Sequence, residues 1–571
     1  MVIEAIEVTS INACDPPWLK HYPEDVDWRQ HYVGRAFHGL LDEAVTRFAD
    51  RPFIDFLDRK MTYRDVDRMA ARAAKGFQAL GVGKGTKVGL FLPNCPYSVI
   101  CFFGILRAGG TVVNYNPLYA PPEIEHQVED SETDILVTLD LEALLPKVAP
   151  LLARTRLKAV VVAKMADCLP FPKNWLFRAI RRQDIAKVPD EPRFVAFNQL
   201  IDNDGGYDLV DTDPERDIAI LQYTGGTTGR AKGAVHTHAG LVINADQLAD
   251  WAHDCTPGEE RILGVIPLFH VLAISTVLTY GTKIGAELIL LPRFDVDQVL
   301  ATISAKRPTF LPGVPTMYNA ISSHKDIEKF DLTSIKFCIS GGAPLPQDIK
   351  ENFERRAGCA LVEGYGLTEA PVTHCNPING LQKIGSFGVP MPGTSIEIVS
   401  LDDGETLMPQ GERGEICLIG PQVMLGYWKR EDETAGVIKN GRLHTGDVGY
   451  LDEDGFGFLV DRLKELIICS GYNVYPRMVE EALYLNPAIA EAAVCGIPDD
   501  YRGETVKAYI VLRDGATLTE AELLTFLGDK LSKIEMPRVI EFREDLPKSA
   551  VGKILKKELL REERERTGAE R

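Results

Sequence analysis

Apolar and polar positions along this chain follow two alternating periods. Short β-branched or leucine-rich runs, KVGLFLP at 87–93, TVVNYNP and DILVTLD, are separated by longer stretches with helical spacing, YSVICFFGILRAGG and PPEIEHQVEDS. Repeated strand-then-helix order predicts parallel sheets covered by helices, with ligand sites gathered at the carboxyl ends of the strands. Two uncharged runs, 88–106 and 262–282, are each close to the roughly 20 residues of a membrane span. Pro93, Asn94 and Pro96 interrupt the first, and Pro267 and His270 the second, so both read as buried strand-turn-helix segments. Residues 219–239 read as a strand, a glycine-rich turn and a further strand or helix start. ALVEGYGLTEA reads as a strand running into an exposed loop, the kind of place where chemistry concentrates. Near Asp461 the style changes: GFGFLVDRLKELIICSGYNVYP leads into a helical RMVEEALYLN, strands in AEAAVCGIP and VKAYIVLRD, and an amphipathic helix in TEAELLTFLGDKLSK. The expected fold is α/β, with a large N-terminal lobe of several βαβ-type subdomains and a small α+β C-terminal lobe. The closing KKELLREERERTGAER reads as a charged, solvated helix.

Composition narrows the chemistry. The chain has 571 residues, and 63 Lys and Arg against 82 Asp and Glu give a net charge of −19. So acidic a chain does not bind nucleic acid wholesale, and any polyanionic ligand has to be met locally. Eleven cysteines without a CxxC pair read as reduced thiols rather than a zinc site or disulfide framework. The acidic N-terminal MVIEAIEVTS lacks the pattern of a signal peptide, which points to the cytoplasm. One segment departs from the acidic balance: residues 154–193 carry ten basic residues against four acidic ones. Within it FPKNWLFRAIRR sets Trp175, Leu176, Ala179 and Ile180 near one helical face, with Lys173, Arg178, Arg181 and Arg182 around it. Such a helix suits transient contact with an anionic membrane surface, at the inner membrane face in this case; packing on the lobe surface is the competing reading.

Five short segments carry candidate chemistry. After the apolar IAILQ comes YTGGTTGRAKG, a phosphate cradle: Gly225, Gly226 and Gly229 let backbone N–H groups converge on an anion, Thr224, Thr227 and Thr228 add hydroxyls, and Lys232 adds a charge. It departs from the P-loop pattern, since Ala231 precedes the lysine and Gly233 follows it. In EGYGLTE, the Thr368 hydroxyl beside the Glu369 carboxylate suits a phosphate oxygen and its Mg²⁺, a hard cation that takes oxygen ligands. The others are the TGD segment ending at Asp447, Asp461-Arg462 followed by GYNVYP, and PKSAVGK ending at Lys553.

In this order and at these separations the five segments resemble the acyl-adenylate-forming superfamily, which includes acyl-CoA synthetases, peptide-synthetase adenylation domains and beetle luciferases. The resemblance covers nearly the whole chain. NYNPLY, GAPLP and VDRLKELIICSGYNVYP look most like bacterial long-chain fatty acyl-CoA ligases. It implies an N-terminal lobe, 1–460, with the ATP and acyl sites, and a C-terminal lobe, 461–571, that swivels between two half-reactions. Carried over by residue, it puts Thr224, Gly225, Gly226, Thr227, Thr228 and Lys232 over the ATP phosphates, with Thr224 and Glu369 toward Mg²⁺ and Thr368 near the α-phosphate. Gly341, Gly342, Ala343, Glu363, Gly364 and Tyr365 would border adenine, and Asp447 and Arg462 would hold the ribose. Lys553 would reach the α-phosphate and carboxylate, with Glu369 and Thr224 completing the catalytic set. Gly471 and Tyr472 would line the CoA path after the swivel, and His270, Val314 and Gly341 would lie against the acid.

The chemistry asks for such parts. A carboxylate is a poor electrophile toward a thiol until AMP becomes its leaving group, so two anions must first meet. A lysine, Mg²⁺ and hydroxyls offset that repulsion, and the first step needs no general base. The expected function is ATP- and Mg²⁺-dependent joining of a medium- or long-chain fatty acid to CoA. A ligase for a dicarboxylic or aryl acid, and an adenylating enzyme that loads a carrier protein, would carry the same boxes. A homodimer is compatible with the sequence.

Overall fold

A computed structural model describes residues 16–224, 231–252, 254–469, 472–499, 502–549 and 552–567. Among these the strands gather into sheets of fourteen, eight and five. In the eight-stranded sheet Lys87–Leu90, Thr111–Asn114, Thr133–Leu139 and Ile218–Tyr223 run parallel, as the alternation predicts. The first three are buried along their whole length, because helices cover both faces. The 88–106 run is a strand, a turn and the fully buried helix Pro96–Arg107. This helix approaches helix Tyr63–Ala79 at Gly104, where an added Cβ would lie 2.8 Å from Cβ of Ala73. The 262–282 run contains strand Arg261–Gly264, the π-helical turn Ile274–Thr279 and part of helix Tyr280–Ile284. No helix among the described residues is long and apolar enough to cross a membrane.

The fourteen-stranded sheet has a parallel part and an antiparallel part. Phe310–Gly313, Phe337–Ser340 and Ala360–Tyr365 run parallel in register, pairing Gly313 with Ser340 and Ser340 with Glu363, so their carboxyl ends lie side by side. Beyond them the sheet turns antiparallel through Ser386–Pro390, Gly457–Arg462 and Arg442–Leu451. The large apolar core spans Trp18 to Phe456. Residues from Ile467 onward form separate clusters around a five-stranded sheet with helices Pro476–Tyr484, Glu520–Leu527 and Lys556–Thr567. The molecule is thus a mixed α/β fold with a large N-terminal part of several sheets and a small α+β C-terminal part. Helix Glu520–Leu527 begins with a capping box between Thr519 and Glu522.

The charged tail is corrected by the structure. Helix Lys556–Thr567 is docked on the small sheet: Leu559 and Glu563 are buried, and the fully buried Lys507 lies 2.7 Å from both Glu563 and Glu541. A lysine shared by two carboxylates fixes the segment that immediately follows Lys553. Replacing it by alanine leaves Glu541 and Glu563 only their more exposed partners Arg543 and Arg566, a loss of about 1–3 kcal/mol. Lys507→Ala should therefore lose amide hydrogen-exchange protection over 539–567 while residues 87–251 keep theirs; unchanged protection in the tail would refute the assignment.

Candidate active site

The glycine- and threonine-rich segment is flanked by two antiparallel strands. Strand Ile218–Tyr223 pairs antiparallel with Gly233–Thr237, placing Tyr223 opposite Gly233. The neck is closed by the Thr224 N–H donating to the Lys232 carbonyl at 2.9 Å and the Lys232 N–H reaching Thr224 Oγ1 at 3.4 Å. Gly225, Gly226, Thr227 and Thr228 lie outside the described residues. A short strand, Gly426–Tyr427, adds to the edge of this hairpin beside Ala234 and Val235. It brings the Tyr427 ring within 4.9 Å of the Lys232 ammonium, which is also ion-paired with Glu433. The Tyr427 hydroxyl donates to Glu369 Oε1 at 2.7 Å; burial and that carboxylate raise the phenol pKa, so it stays a donor. The neighbouring Thr368 carbonyl accepts from His236 Nε2 at 2.7 Å, and burial pushes His236 down to about 4, so the ring is neutral with its proton on Nε2.

The parallel strand ends supply the next wall. Gly341, Gly342 and Ala343 follow strand Phe337–Ser340, and Gly342 takes φ +77°, which favours glycine. A Cβ on Gly341 would meet Leu272 Cδ2 at 3.3 Å and the Gly364 carbonyl at 3.6 Å, and one on Gly342 would meet Val314 Cγ1 at 3.7 Å. Glu363, Gly364 and Tyr365 end the adjacent strand. Burial raises the Glu363 carboxyl to about 7, with Arg477 and the Leu345 N–H opposing the rise. The Tyr365 ring stacks on Phe387 at 4.7 Å, and its hydroxyl donates to Asp447 Oδ2 at 2.7 Å. Asp447 is buried opposite Arg462 in strand register, with the guanidinium Nε 3.0 Å from Oδ1.

His270 and Lys553 complete the cluster. The Leu272 N–H donates to His270 Nδ1 at 3.3 Å, which leaves the proton on Nε2; burial and the charge of Lys553 lower the imidazole to about 4. Burial, and then Arg462, lower Lys553 to about 8, while Glu465 and Asp447 act in the opposite sense. Lys553 thus lies within electrostatic range of Arg462, Asp447 and His270. Its loop is held by the Ser549 N–H to the Lys553 carbonyl, 2.8 Å, and the Lys553 N–H to Ser549 Oγ, 3.1 Å. Behind it Lys556 bridges Glu465 and Glu480 at 3.0 and 2.8 Å. Asp461 accepts from the Arg462 N–H and from the Arg477 N–H that opens helix Pro476–Tyr484, and burial raises its carboxyl to about 6.

The contacts thus link Lys232, Glu369 and Tyr427 in one group, and Gly341, Gly342, Val314, His270, Gly364, Tyr365, Asp447, Arg462 and Lys553 in another. Arg462 also feels the field of Glu369, which joins the two groups. Tyr472 stands apart, 66% exposed on strand Tyr472–Val474, and Gly471 lies outside the described residues. A separate cluster of Glu415, Cys417 and His444 has ligand atoms within 4.8 Å of one another. In it Glu415 accepts from the Gly446 N–H at 3.0 Å and pairs with His444 Nδ1 at 2.8 Å, holding the turn that precedes Asp447. Sequence reasoning missed Tyr427, Glu433, His236 and Thr316. The aromatic pair after Gly426 was a weak signal for the first, and the others had none.

The profile of the AMP-binding enzyme family matches residues 41–428, and that of the AMP-binding enzyme C-terminal domain matches residues 478–553. The long-chain-fatty-acid--CoA ligase of Bacillus subtilis (strain 168) is 44% identical over 554 residues, 96% of this chain and 98% of its own. Among solved structures, the anthranilate CoA ligase AuaEII in complex with anthranoyl-AMP superposes with a TM-score of 0.83 at 27% identity, covering 95% of this chain and 100% of that one. ATP-bound MatB from Rhodopseudomonas palustris does so with a TM-score of 0.80 at 27% identity, over 92% and 99%.

Gly552 gives a direct handle on the docking of Lys553. It has φ +74°, and a Cβ there would fall 2.2 Å from Oγ1 of Thr316 on the large part. Strain of about 1–3 kcal/mol from the left-handed backbone alone, plus the clash, disfavours the docked arrangement. Gly552→Ala should speed amide hydrogen exchange over 552–556 about tenfold or more; unchanged exchange there would contradict the packing.

Proposed function

The chain belongs to the AMP-binding enzyme family, and from that premise we propose that it activates a long-chain fatty acid with ATP, forms the acyl-adenylate and transfers the acyl group to CoA with release of AMP. The observation that supports this reading best is the electrostatic coupling of Lys553 with Arg462, Asp447 and His270, together with the packing of Gly552 against Thr316. Full-length similarity to a long-chain-fatty-acid--CoA ligase supports the reaction and the acid.

In the first half-reaction the acid's carboxylate attacks the α-phosphorus and pyrophosphate departs. Thr224 and Lys232 at the hairpin neck, with Gly225, Gly226, Thr227 and Thr228 of its turn, hold the phosphates; Lys232 exchanges Glu433 for phosphate oxygen in doing so. Gly341, Gly342, Ala343, Glu363, Gly364 and Tyr365 border adenine, and Asp447 with Arg462 takes the ribose hydroxyls. Lys553 stabilises charge on the transferring phosphorus and the attacking carboxylate, while the Nε2–H of His270 faces the acid. Glu369 fits a hard divalent cation, because Tyr427 engages Oε1 and leaves Oε2 available, and Thr224 and Thr368 add oxygen donors. Bound Mg²⁺ would neutralise phosphate charge there. For the second half-reaction we place a hinge at Asp461, separating 1–460 from 461–571. Rotation about it withdraws Lys553 and brings Gly471 and Tyr472 to the CoA path, which accounts for Tyr472 standing exposed and away from the cluster.

Near the amino ends of strands Phe310–Gly313 and Phe337–Ser340 lies a small pocket of about 10 Å³ lined by Trp251, Thr276, Tyr280, Phe310, Phe337 and Ile339, with no charged side chain among its described lining residues. A hydrocarbon chain suits that surface, whereas a dicarboxylic acid would want a cation at its far end. CoA-dependent AMP release should rise along a series of saturated linear acids, by up to about fourfold in kcat/KM for each methylene that becomes buried, since each contributes about 0.8 kcal/mol. Preference for dicarboxylic or aryl acids, or AMP release that needs no CoA, would overturn the reading.

The two half-reactions should separate in one variant. Lys553→Ala removes a charge used only in adenylation, so acyl-AMP formation should fall about 10²- to 10³-fold. Transfer to CoA from supplied acyl-AMP should be nearly unchanged, and equal loss of both steps would count against the swivel.

A further inference from the structure

One polar row crosses the antiparallel part of the large sheet on the face turned away from the core. Strands Ser395–Val399, Gly414–Ile419 and Arg442–Leu451 pair in register so that Glu397 stands opposite Cys417, and Cys417 opposite His444. Side chains alternate along a strand and direct cross-strand partners share a face, so Glu415, two residues before Cys417, joins that row. Ile396, Ile398, Ile416, Leu418 and Leu443 belong to the apolar core on the other face. The pairing then shifts: Glu415 meets Val448, so Thr445, Gly446 and Asp447 together oppose the single residue Ile416. Such a bulge re-aims the side chains around it, and here it sits beside a group of metal-ligating residues.

Three ligand-type atoms meet at the row. His444 Nδ1 lies 2.8 Å from Glu415 Oε2 and 3.5 Å from Cys417 Sγ, and all three atoms fall within 4.8 Å of one another. By hydrogen bonding Nδ1 serves only one of these neighbours at a time, whereas a metal ion serves both at once. A tetrahedral zinc ion, about 2.3 Å from sulfur and about 2.0 Å from nitrogen and oxygen, needs its ligand atoms about 3.3–3.5 Å apart. The sulfur–nitrogen spacing already meets that need, and the nitrogen–oxygen pair has to open by about 0.5 Å. Thiolate, imidazole and carboxylate together suit Zn²⁺, while Mg²⁺ and Ca²⁺ take oxygen ligands. Glu397, across Cys417 on the outer strand, is held by Arg442 at 2.7 Å, so water takes the fourth position.

The setting is enclosed and still reachable. Cys417 and His444 are buried and Glu415 is half-buried. The turn closed by the Gly404 N–H to the Ser400 carbonyl forms the roof, and a Cβ on Gly404 would lie 3.8 Å from His444 Cε1. Leu401, Asp402 and Asp403 of that turn are exposed, so the row lies one turn of chain below solvent.

We infer that Glu415 Oε2, Cys417 Sγ and His444 Nδ1 form a binding site for Zn²⁺. On binding, the thiol gives its proton to solvent and the imidazole carries its proton on Nε2; no group is oxidised or reduced. Glu415 Oε1 keeps the Gly446 N–H at 3.0 Å, so one carboxylate ties the ion to the bulge that carries Asp447. Any consequence for nucleotide binding by Asp447 rests on the ligase reading; the metal site itself does not.

The test is a titration of the full chain with Zn²⁺ against a chromophoric chelator, with Co²⁺ as a spectroscopic probe, without ATP, CoA or fatty acid. One Zn²⁺ per chain should bind with a Kd of about micromolar or tighter in the presence of excess Mg²⁺. Co²⁺ should give a thiolate-to-metal absorption band together with the visible bands of a four-coordinate ion. Cys417→Ser and, separately, His444→Gln should weaken Zn²⁺ binding about a hundredfold or more, since even outer-shell changes cost about 10- to 100-fold. Glu415→Gln keeps an acceptor for the Gly446 N–H and should weaken it about tenfold or more. Amide hydrogen exchange over 442–448 should slow with Zn²⁺ in the unmodified chain and in none of the variants. Where a variant fails to fold, the cobalt spectrum of the unmodified chain still tests the thiolate. Absence of the thiolate band, equal Zn²⁺ affinity in folded Cys417→Ser, or exchange over 442–448 that does not respond to Zn²⁺ would each overturn the inference.

Discussion

Lys553 enters a site that already holds the Arg462 guanidinium, and burial together with that second cation pushes its amine down to about 8. A buried ammonium beside another cation is held only as firmly as nearby negative charge allows. Asp447 and Glu465 supply part of it. The remainder is what ATP and a fatty carboxylate bring, so docking is strongest when both anions need screening. On the proposed reading, loss of pyrophosphate removes the larger share of that negative charge and leaves Lys553 less firmly held. One imbalance of charge therefore serves both half-reactions.

The surroundings of Lys553 are arranged so that this weakly held contact still has a defined geometry. Gly552 allows the loop to press on Thr316, where any larger residue would collide. Lys556, between Glu465 and Glu480, ties the loop to the turn after the hinge and to helix Pro476–Tyr484. Asp461 caps that same helix through the Arg477 N–H. The loop of Lys553, Glu465 and helix Pro476–Tyr484 are consequently tied together, and Lys507 ties the last helix to the same sheet.

Much of this was readable before any coordinates. The alternation of periods predicts the parallel sheets, and the five segments contain most of the residues that converge, because contiguous chemistry at a strand end stays together whatever the loops do. The partners of those residues were not readable. Tyr427 reaches Glu369 across 58 positions, and Thr316 meets Gly552 from the other lobe. Such meetings depend on sheet order and lobe docking, which leave no periodic trace. The tail was misjudged for a related reason: a lysine buried between two glutamates has the composition of a solvated charged helix. Helix Lys173–Ile180 shows the same limit, since a pattern defines an apolar stripe but not the direction in which it faces.

Net charge acts at a different range from these contacts. At physiological salt the Debye length is about 8 Å, so a chain of net charge −19 does not present that charge at any one point of contact. On the proposed reading, ATP phosphates meet N–H groups, hydroxyls and one or two lysines. Outside those places the same acidity repels phosphate. The excess of carboxylates therefore adds orientation: a polyanion approaching from any other side is turned away, and the few cationic places decide where it lands.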